Sequence, residues 1–251
     1  MSDLTGKTTV VVGATRGLGL GIATAFAHAG APVIGVGRTA TTPAEGQHGT
    51  PGIQQEVADA GEATAAGRIL DRHDPQVVIL VAGATPHMRP LQHQTWETFS
   101  ANWNADVRIS FYWLREALLK PLRPGSRVIV ISSGAALNPS GSPLSGGYAG
   151  AKATQRLITG YAQDEANRTG LGITFTAVLP QFAPQTGVGR PAVQAYAARA
   201  GQSVPDFLEG QPFPLLTPEI AGTALVELVQ ANPVGLSPAY LLNGAGLQQL
   251  P

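Results

Sequence analysis

Residues Ile131–Lys152 read I-S-S-G-A-A-L-N-P-S-G-S-P-L-S-G-G-Y-A-G-A-K: an apolar strand ending in two serines, a Pro/Gly/Ser loop, and a helix opened by Tyr148 and Lys152. Residues four apart share a helix face, so this spacing brings the Tyr148 hydroxyl and the Lys152 ammonium to one site. A phenol is a poor acid at neutral pH, and a cation held nearby stabilises its phenolate. The pair therefore reads as a proton donor to a carbonyl oxygen that gains charge. Ser133, at the strand's carboxyl end, can hydrogen-bond the same oxygen. Taken alone, Y-x-x-x-K equally describes a surface tyrosine and lysine on an amphipathic helix, so its meaning depends on the rest of the chain.

Near the N-terminus, the β-branched run Thr8 to Val12 leads into G-A-T-R-G-L-G-L-G-I-A and an apolar-periodic segment through Ala29. This is a strand, a turn with Gly13, Gly17 and Gly19, and a helix. Small residues there let backbone amides approach a pyrophosphate, and a helix N-terminus favours its negative charge. A second strand, Pro32 to Gly37, ends in Arg38. At that strand end an acid would accept from the adenosine 2′-hydroxyl, whereas an arginine accommodates a 2′-phosphate. Arg38, with Arg16 in the glycine turn as a second guanidinium, therefore points to NADP.

Arg38 to Gly52 is too rich in Pro, Gly and Thr for a good helix, yet long enough for a parallel crossover. Ile53 to Ala58 reads as a third strand, Gly61 to Leu70 as a helix, and Gln76 to Val81 as a buried fourth strand. His87 follows in a loop, where a lone histidine is ordinarily just exposed. Thr95 to Lys120 reads as one long helix carrying Trp96, Phe99, Trp103, Val107, Phe111, Leu114 and Leu118 at helical spacing, with Asp106 in its middle. Arg127 to Ile131 is the fifth strand and Ile173 to Leu179 the sixth. Phe182 to Thr217 is an excursion holding one short helix, from Pro191 to just before Gly201. Phe182, Phe207, Leu208, Phe213 and Leu215 make it apolar, which suits a lid over a hydrophobic substrate at about residues 182–217. Pro218 to Gln230 is a helix, and Ala239 to Leu242 a last short strand closed by Asn243-Gly244-Ala245-Gly246.

Composition narrows the function classes. The 251 residues carry 16 Lys/Arg against 16 Asp/Glu, without a basic run, so nucleic acid and anionic membrane are poor partners. With no cysteine and five scattered histidines, neither a disulfide framework nor a metal site is expected. Met1 to Lys7 is polar and the apolar run after it is short, so no signal peptide or membrane span is expected, and a cytoplasmic location is the default.

The combination resembles the short-chain dehydrogenase/reductase family over nearly the whole chain. Gly13, Gly17 and Gly19 match its G-x-x-x-G-x-G turn, Ser133 the serine after the fifth strand, and Tyr148 and Lys152 its Y-x-x-x-K. The resemblance implies an α/β fold: a Rossmann-type, doubly wound, seven-stranded parallel sheet between two helical layers, in one domain spanning 1–251. It also implies hydride transfer at nicotinamide C4, with Tyr148 as general acid, Ser133 orienting the carbonyl, and Lys152 holding the ribose hydroxyls while tuning the tyrosine. The cofactor-binding set it implies comprises Gly13, Thr15, Arg16, Gly17, Leu18, Gly19, Arg38, Glu56, Val57, Ala82, Gly83, Pro180 and Thr186, together with Tyr148 and Lys152. A homo-oligomer, tetramer or dimer, is implied through the Thr95 to Lys120 and Tyr148 to Arg168 helices and the C-terminal strand.

The chain departs from the family pattern in several places. The usual N-N-A-G is Val81-Ala82-Gly83-Ala84; the acid-Val pair near adenine is Glu56-Val57, with Asp59 as a substitute; the P-G turn is Pro180-Gln181; the carboxamide-contacting threonine, Thr186, is shifted by about one place. The loop from Ser133 to Tyr148 is slightly longer than usual. The asparagine of the family's catalytic tetrad corresponds to Asp106 when counted from Phe111 and Ser133, and to Asn104 when counted from Trp96. In the tetrad position, an Asp106 carboxylate would hold a proton-relaying water and partly offset the pull of Lys152 on Tyr148. The activity expected is NADPH-dependent reduction of a ketone or aldehyde in a small, fairly apolar molecule. The alternatives are reduction of an activated C=C or C=N bond, and NADP binding without turnover.

Overall fold

The structure, a computed structural model, describes residues 3–39, 52–138 and 142–250. Its strands are β1 (Thr9–Val12), β2 (Val33–Gly37), β3 (Ile53–Val57), β4 (Val77–Leu80), β5 (Arg127–Ile131), β6 (Thr174–Pro180), β7 (Ala239–Asn243) and β8 (Gly246–Leu250). They form one sheet in the order β3-β2-β1-β4-β5-β6-β7-β8. The first seven run parallel in the expected doubly wound order. An eighth strand, which the sequence reading ended before, pairs antiparallel with β7, Leu242 opposite Leu247. Asn243 makes this hairpin by accepting the Ala245 amide at 2.8 Å on its side-chain oxygen, with Gly246 at φ 104°.

Every residue of β1, β4 and β5 is buried, as strands covered on both faces must be. Their alternation feeds two cores. Val11, Ile79 and Ile129 face helices α1 (Gly17–His28) and α8 (Pro218–Gln230), with Phe26 and Leu225 fully buried between. Val10, Val12, Leu80 and Val130 face α2 (Ala65–His73), α4 (Arg108–Leu119) and α5 (Gly146–Arg168), around Ile69 and Trp113. Each such side chain contributes roughly 1.5–3 kcal/mol by leaving water. Helices α1 and α8 approach closely because both carry glycine at the contact: a Cβ on Gly222 would lie 2.7 Å from the Gly21 carbonyl oxygen.

Three helical boundaries differ from expectation. Helix α2 starts at Ala65 rather than Gly61, because the Asp59 carboxylate takes the Gly61 amide at 2.9 Å and holds a turn there. The stretch from Thr95 to Lys120 is α3 (Trp96–Asn102), a π-helical turn over Trp103–Val107, and then α4. The excursion after β6 contains α6 (Gly189–Ala200) and a further helix, α7 (Val204–Glu209), started by Ser203 capping the Asp206 amide. The expected crossover after Arg38 lies mostly outside the described residues. Among the described residues, no helix is long and apolar enough to cross a membrane.

Candidate active site

The strand order reverses at β1, whose sheet neighbours are β2 and β4, and the carboxyl ends of the strands open there into a cavity of about 970 Å³. Such a switch point is where open α/β sheets bind ligands. The chain leaves β1 through Gly13 at φ 94° and Gly17 at φ 55°, a region that side chains disfavour. A Cβ on Gly19 would sit 2.0 Å from the Gly13 carbonyl oxygen, so the turn lies flat against the start of α1. Arg16 precedes that helix without capping it through its side chain, which leaves the first-turn amides of Gly17, Leu18 and Gly19 to meet an anion at the positive end of the helix dipole. These residues fit a pyrophosphate. Across the same turn, a Cβ on Gly17 would touch Thr186 at 3.5 Å, in ordinary contact.

At the β2 end of the cavity stand Thr15, Arg16 and Arg38. Both arginines are exposed, and among the described residues neither forms an ion pair. Glu56 and Val57 do not line the cavity. The Glu56 carboxylate turns toward α2, meeting Arg72 at 2.8 Å, Arg68 at 3.1 Å and His73 at 3.5 Å, and Val57 is 56% exposed. Burial alone would push the Glu56 carboxyl up, but Arg72 and His73 outweigh it and hold it below the usual carboxylate range. The acid-Val pair expected near adenine thus stands outside the cavity lining: β3 ends at Val57, and Asp59, the substitute after the turn, is the acid that lines this end of the cavity, beside Ala60 and Gly61.

The chemical centre assembles from β5, the π-helical turn and α5. Ser133 leaves β5 on the cavity wall, its Oγ accepting the Ala135 amide at 3.2 Å, which fixes the side chain at the head of a short 3₁₀ turn. Tyr148 is half-buried on the same wall, and the Lys152 Nζ lies 5.5 Å from its ring centroid. The lysine is buried. Its Nζ donates to the Ile131 carbonyl at 3.2 Å and pairs with the Asp106 Oδ2 at 3.1 Å. Burial pushes the Lys152 ammonium down, but the Asp106 carboxylate and Tyr148 push it up further, so it holds its proton more firmly than an ordinary lysine.

Asp106, and not Asn104, is the residue brought to Lys152. Asn104 bonds Ser100 at 3.2 Å and stays outside the cavity. The π-helical turn is the local cause: its extra residue shifts the register so that Asp106 points inward, as such turns often do at functional sites. Its Oδ1 accepts the Ala84 amide at 2.8 Å and the Asn102 amide group at 3.3 Å, while Asn102 also donates to the Ala84 carbonyl at 2.8 Å. Asn102 and Asp106 thus brace the loop after β4 in place of the asparagines missing from Val81-Ala82-Gly83-Ala84. Gly83 is required there, since a Cβ would lie 2.6 Å from the Asp106 Oδ2. Asn102 was missed by sequence reasoning, although its place four residues before Asp106 on a helix was a usable signal. Gln155, also missed, donates to the Asp106 carbonyl at 3.1 Å and to Ser110 at 2.7 Å, tying the π-helical turn to α5.

Ala82, Gly83, Pro180 and Thr186 all line the cavity. The Thr186 hydroxyl is committed to the backbone, donating to the Ala183 carbonyl and accepting the Gly189 amide, both at 2.9 Å. The outer wall is apolar: Pro86, Met88, Leu137, Phe182, Phe207 and Phe213, with Phe182 and Phe207 edge-on at 5.7 Å. His87, Leu208 and Leu215 do not face the cavity.

A nucleotide-sized groove ending at a serine, a tyrosine and a lysine defines an oxidoreductase site. Residues 7–196 match the model of the short chain dehydrogenases, and the chain belongs to that family. It uses a nicotinamide cofactor and acts on small molecules. It is 31% identical over 226 residues to the hydroxynaphthalene reductase-like protein Arp2 of Metarhizium robertsii, covering 84% of this chain and 78% of that one. It is 33% identical over 187 residues to hydroxynaphthalene reductase arp2 of Aspergillus fumigatus, covering 70% and 66%. A short chain dehydrogenase from Mycobacterium avium has the same fold, with a TM-score of 0.74 at 20% identity, covering 98% of this chain and 85% of that one.

Proposed function

We propose that the protein is an NADPH-dependent carbonyl reductase, acting reversibly on a ketone or aldehyde in a small, largely apolar molecule. The observation that carries the reading is that Ser133, Tyr148 and Lys152 converge on one cavity whose outer wall is apolar. The two arginines without ion pairs at the β2 end support NADPH over NADH, since a 2′-phosphate would give both a partner. The phenylalanine-rich wall and the names of the relatives support an aromatic ketone as substrate.

When bound, the reduced nicotinamide supplies the hydride that adds to the carbonyl carbon. Ser133 and Tyr148 hydrogen-bond the carbonyl oxygen, and Tyr148 passes it a proton as negative charge develops there, so that hydride plus proton give the alcohol. Lys152 stabilises the resulting phenolate and offers its one remaining hydrogen to the ribose hydroxyls. Asp106 keeps the ammonium charged and anchored. The apolar lid excludes water, which strengthens each of these interactions.

The test is NADPH oxidation against a panel of aromatic ketones, quinones, enones and imines. Turnover of ketones carries the reading; turnover confined to enones or imines overturns it in favour of C=C or C=N reduction. Tight NADPH binding without turnover of any of them would indicate a cofactor-binding protein instead.

A further inference from the structure

Two hydroxyls on the cavity wall have no part in the mechanism above. Ser145 is the residue before α5, three positions ahead of Tyr148, and only 6% exposed. It occupies the N-cap position, yet its side chain does not cap the helix. Instead its Oγ lies 3.0 Å from the hydroxyl of Tyr196 on the lid helix α6, and both residues line the cavity.

Two hydroxyls carry two hydrogens, and whichever residue donates, one hydrogen is used between them and one remains. Among the described residues the remaining hydrogen has no protein acceptor, and Leu137, Phe182, Phe207 and Phe213, which line the same cavity, offer none from their side chains. While the cavity is wet, water can serve. Once an apolar ligand displaces the water, a polar hydrogen without an acceptor is unfavourable. The arrangement therefore favours a ligand that brings its own oxygen to this point and penalises one that does not.

We propose that the Tyr196–Ser145 hydroxyl pair is a second recognition point for substrate, hydrogen-bonding an oxygen substituent remote from the reacting carbonyl. The preferred substrates are then hydroxylated ketones rather than plain ones. This rests on the reductase reading above and extends it from the reacting bond to the substrate's far side. Because Tyr196 sits on the lid and Ser145 on the helix that carries Tyr148, such an oxygen is read only when the two elements are together.

The test compares kcat/KM with NADPH for 1-tetralone and for its ring-hydroxylated derivatives. The wild-type protein is expected to prefer at least one hydroxylated ketone by about tenfold or more. Tyr196→Phe, which keeps the ring and removes the hydroxyl, brings that ratio to about one, and Ser145→Ala lowers it part of the way. A ratio unchanged in Tyr196→Phe, with both ketones losing equally, overturns the proposal and leaves the pair as a lid contact; so does a wild-type ratio near one. The same ratio taken from dissociation constants, titrated through NADPH fluorescence, reads recognition without turnover. A Tyr196-dependent binding preference with no turnover would overturn the reductase reading alone, whereas turnover without the preference would overturn the recognition alone.

Discussion

Asp106 and Lys152 form an ion pair, Oδ2 to Nζ at 3.1 Å, with 1% and 6% of their side chains exposed. Both carboxylate oxygens face donors: Oδ1 takes the Ala84 and Asn102 N–H groups, and Oδ2 the lysine. An asparagine at this position would turn its NH₂ toward one of those donors whichever way it flipped. The carboxylate is therefore what this particular loop after β4 requires, and the family's usual asparagine would not be equivalent here.

Asp106→Asn is accordingly expected to lose about 1–3 kcal/mol of stability in urea denaturation, the penalty of one unpaired buried donor. The raised Lys152 value gives the sign of the pH effect. Stability from this pair is fully present below the ordinary lysine value and is lost as pH rises through the folded-state value. Removing the anion draws that window downward, and the basic limb of the pH–rate profile should move to lower pH with it. An unchanged limb in Asp106→Asn, or a shifted one in Asn104→Ala, would show the wrong residue had been placed in the tetrad.

Cofactor choice should rest on Arg16 and Arg38. A charge-assisted bond to the 2′-phosphate contributes roughly 1.5–3 kcal/mol, so Arg38→Ala should weaken NADPH binding about tenfold or more and leave NADH nearly indifferent. Dissociation constants for both cofactors decide the matter, and an equal loss for the two would count against the assignment.

Tyr148→Phe removes the transferable proton and keeps the ring. Turnover should fall by about 10²–10⁴ while NADPH binding stays largely intact. Lys152→Ala should damage both, and should also destabilise the fold, because it leaves Asp106 buried without its cation. Retention of more than about a tenth of the turnover in Tyr148→Phe would point to another acid.

The helices α3, α4 and α5 expose Trp96, Phe111, Leu119, Leu157 and Tyr161, at 74%, 52%, 62%, 72% and 66%. Apolar surface of this extent suits a self-association face. A light-scattering mass at micromolar concentration should be a multiple of the monomer, and Leu157→Asp should lower it. A monomeric wild-type mass would refute the assembly.

The sheet was legible because strands buried on both faces read as apolar runs, and the glycine turn and Y-x-x-x-K announce their neighbours by spacing. What escaped the reading depends on departures from regular periodicity. The π-helical turn inserts one residue and leaves no local mark in the apolar pattern around Asp106. The acid-Val pattern of the family fits Glu56-Val57 by residue type, but strand β3 stops at Val57 and the Asp59–Gly61 turn after it, which residue type alone does not reveal, presents Asp59 to the cavity. Strand β8 reads Gly-Leu-Gln-Gln-Leu, with too little apolar alternation to stand out, and is held by its pairing with β7. Helix α7 was obscured by Pro205, which lies in its first turn, where proline is tolerated.

Thr186, at the root of the lid, lies against Gly17, and Gly187 comes within reach of the Arg16 guanidinium, 3.9 Å from where its Cβ would be. The glycine-turn end of the cavity and its apolar-walled end are thus not separate rooms but share a party wall. A change that enlarges either of these residues intrudes on both tenants at once, so a new substrate preference is more freely reached through the distal lid, around Tyr196 and Phe207, than through its root.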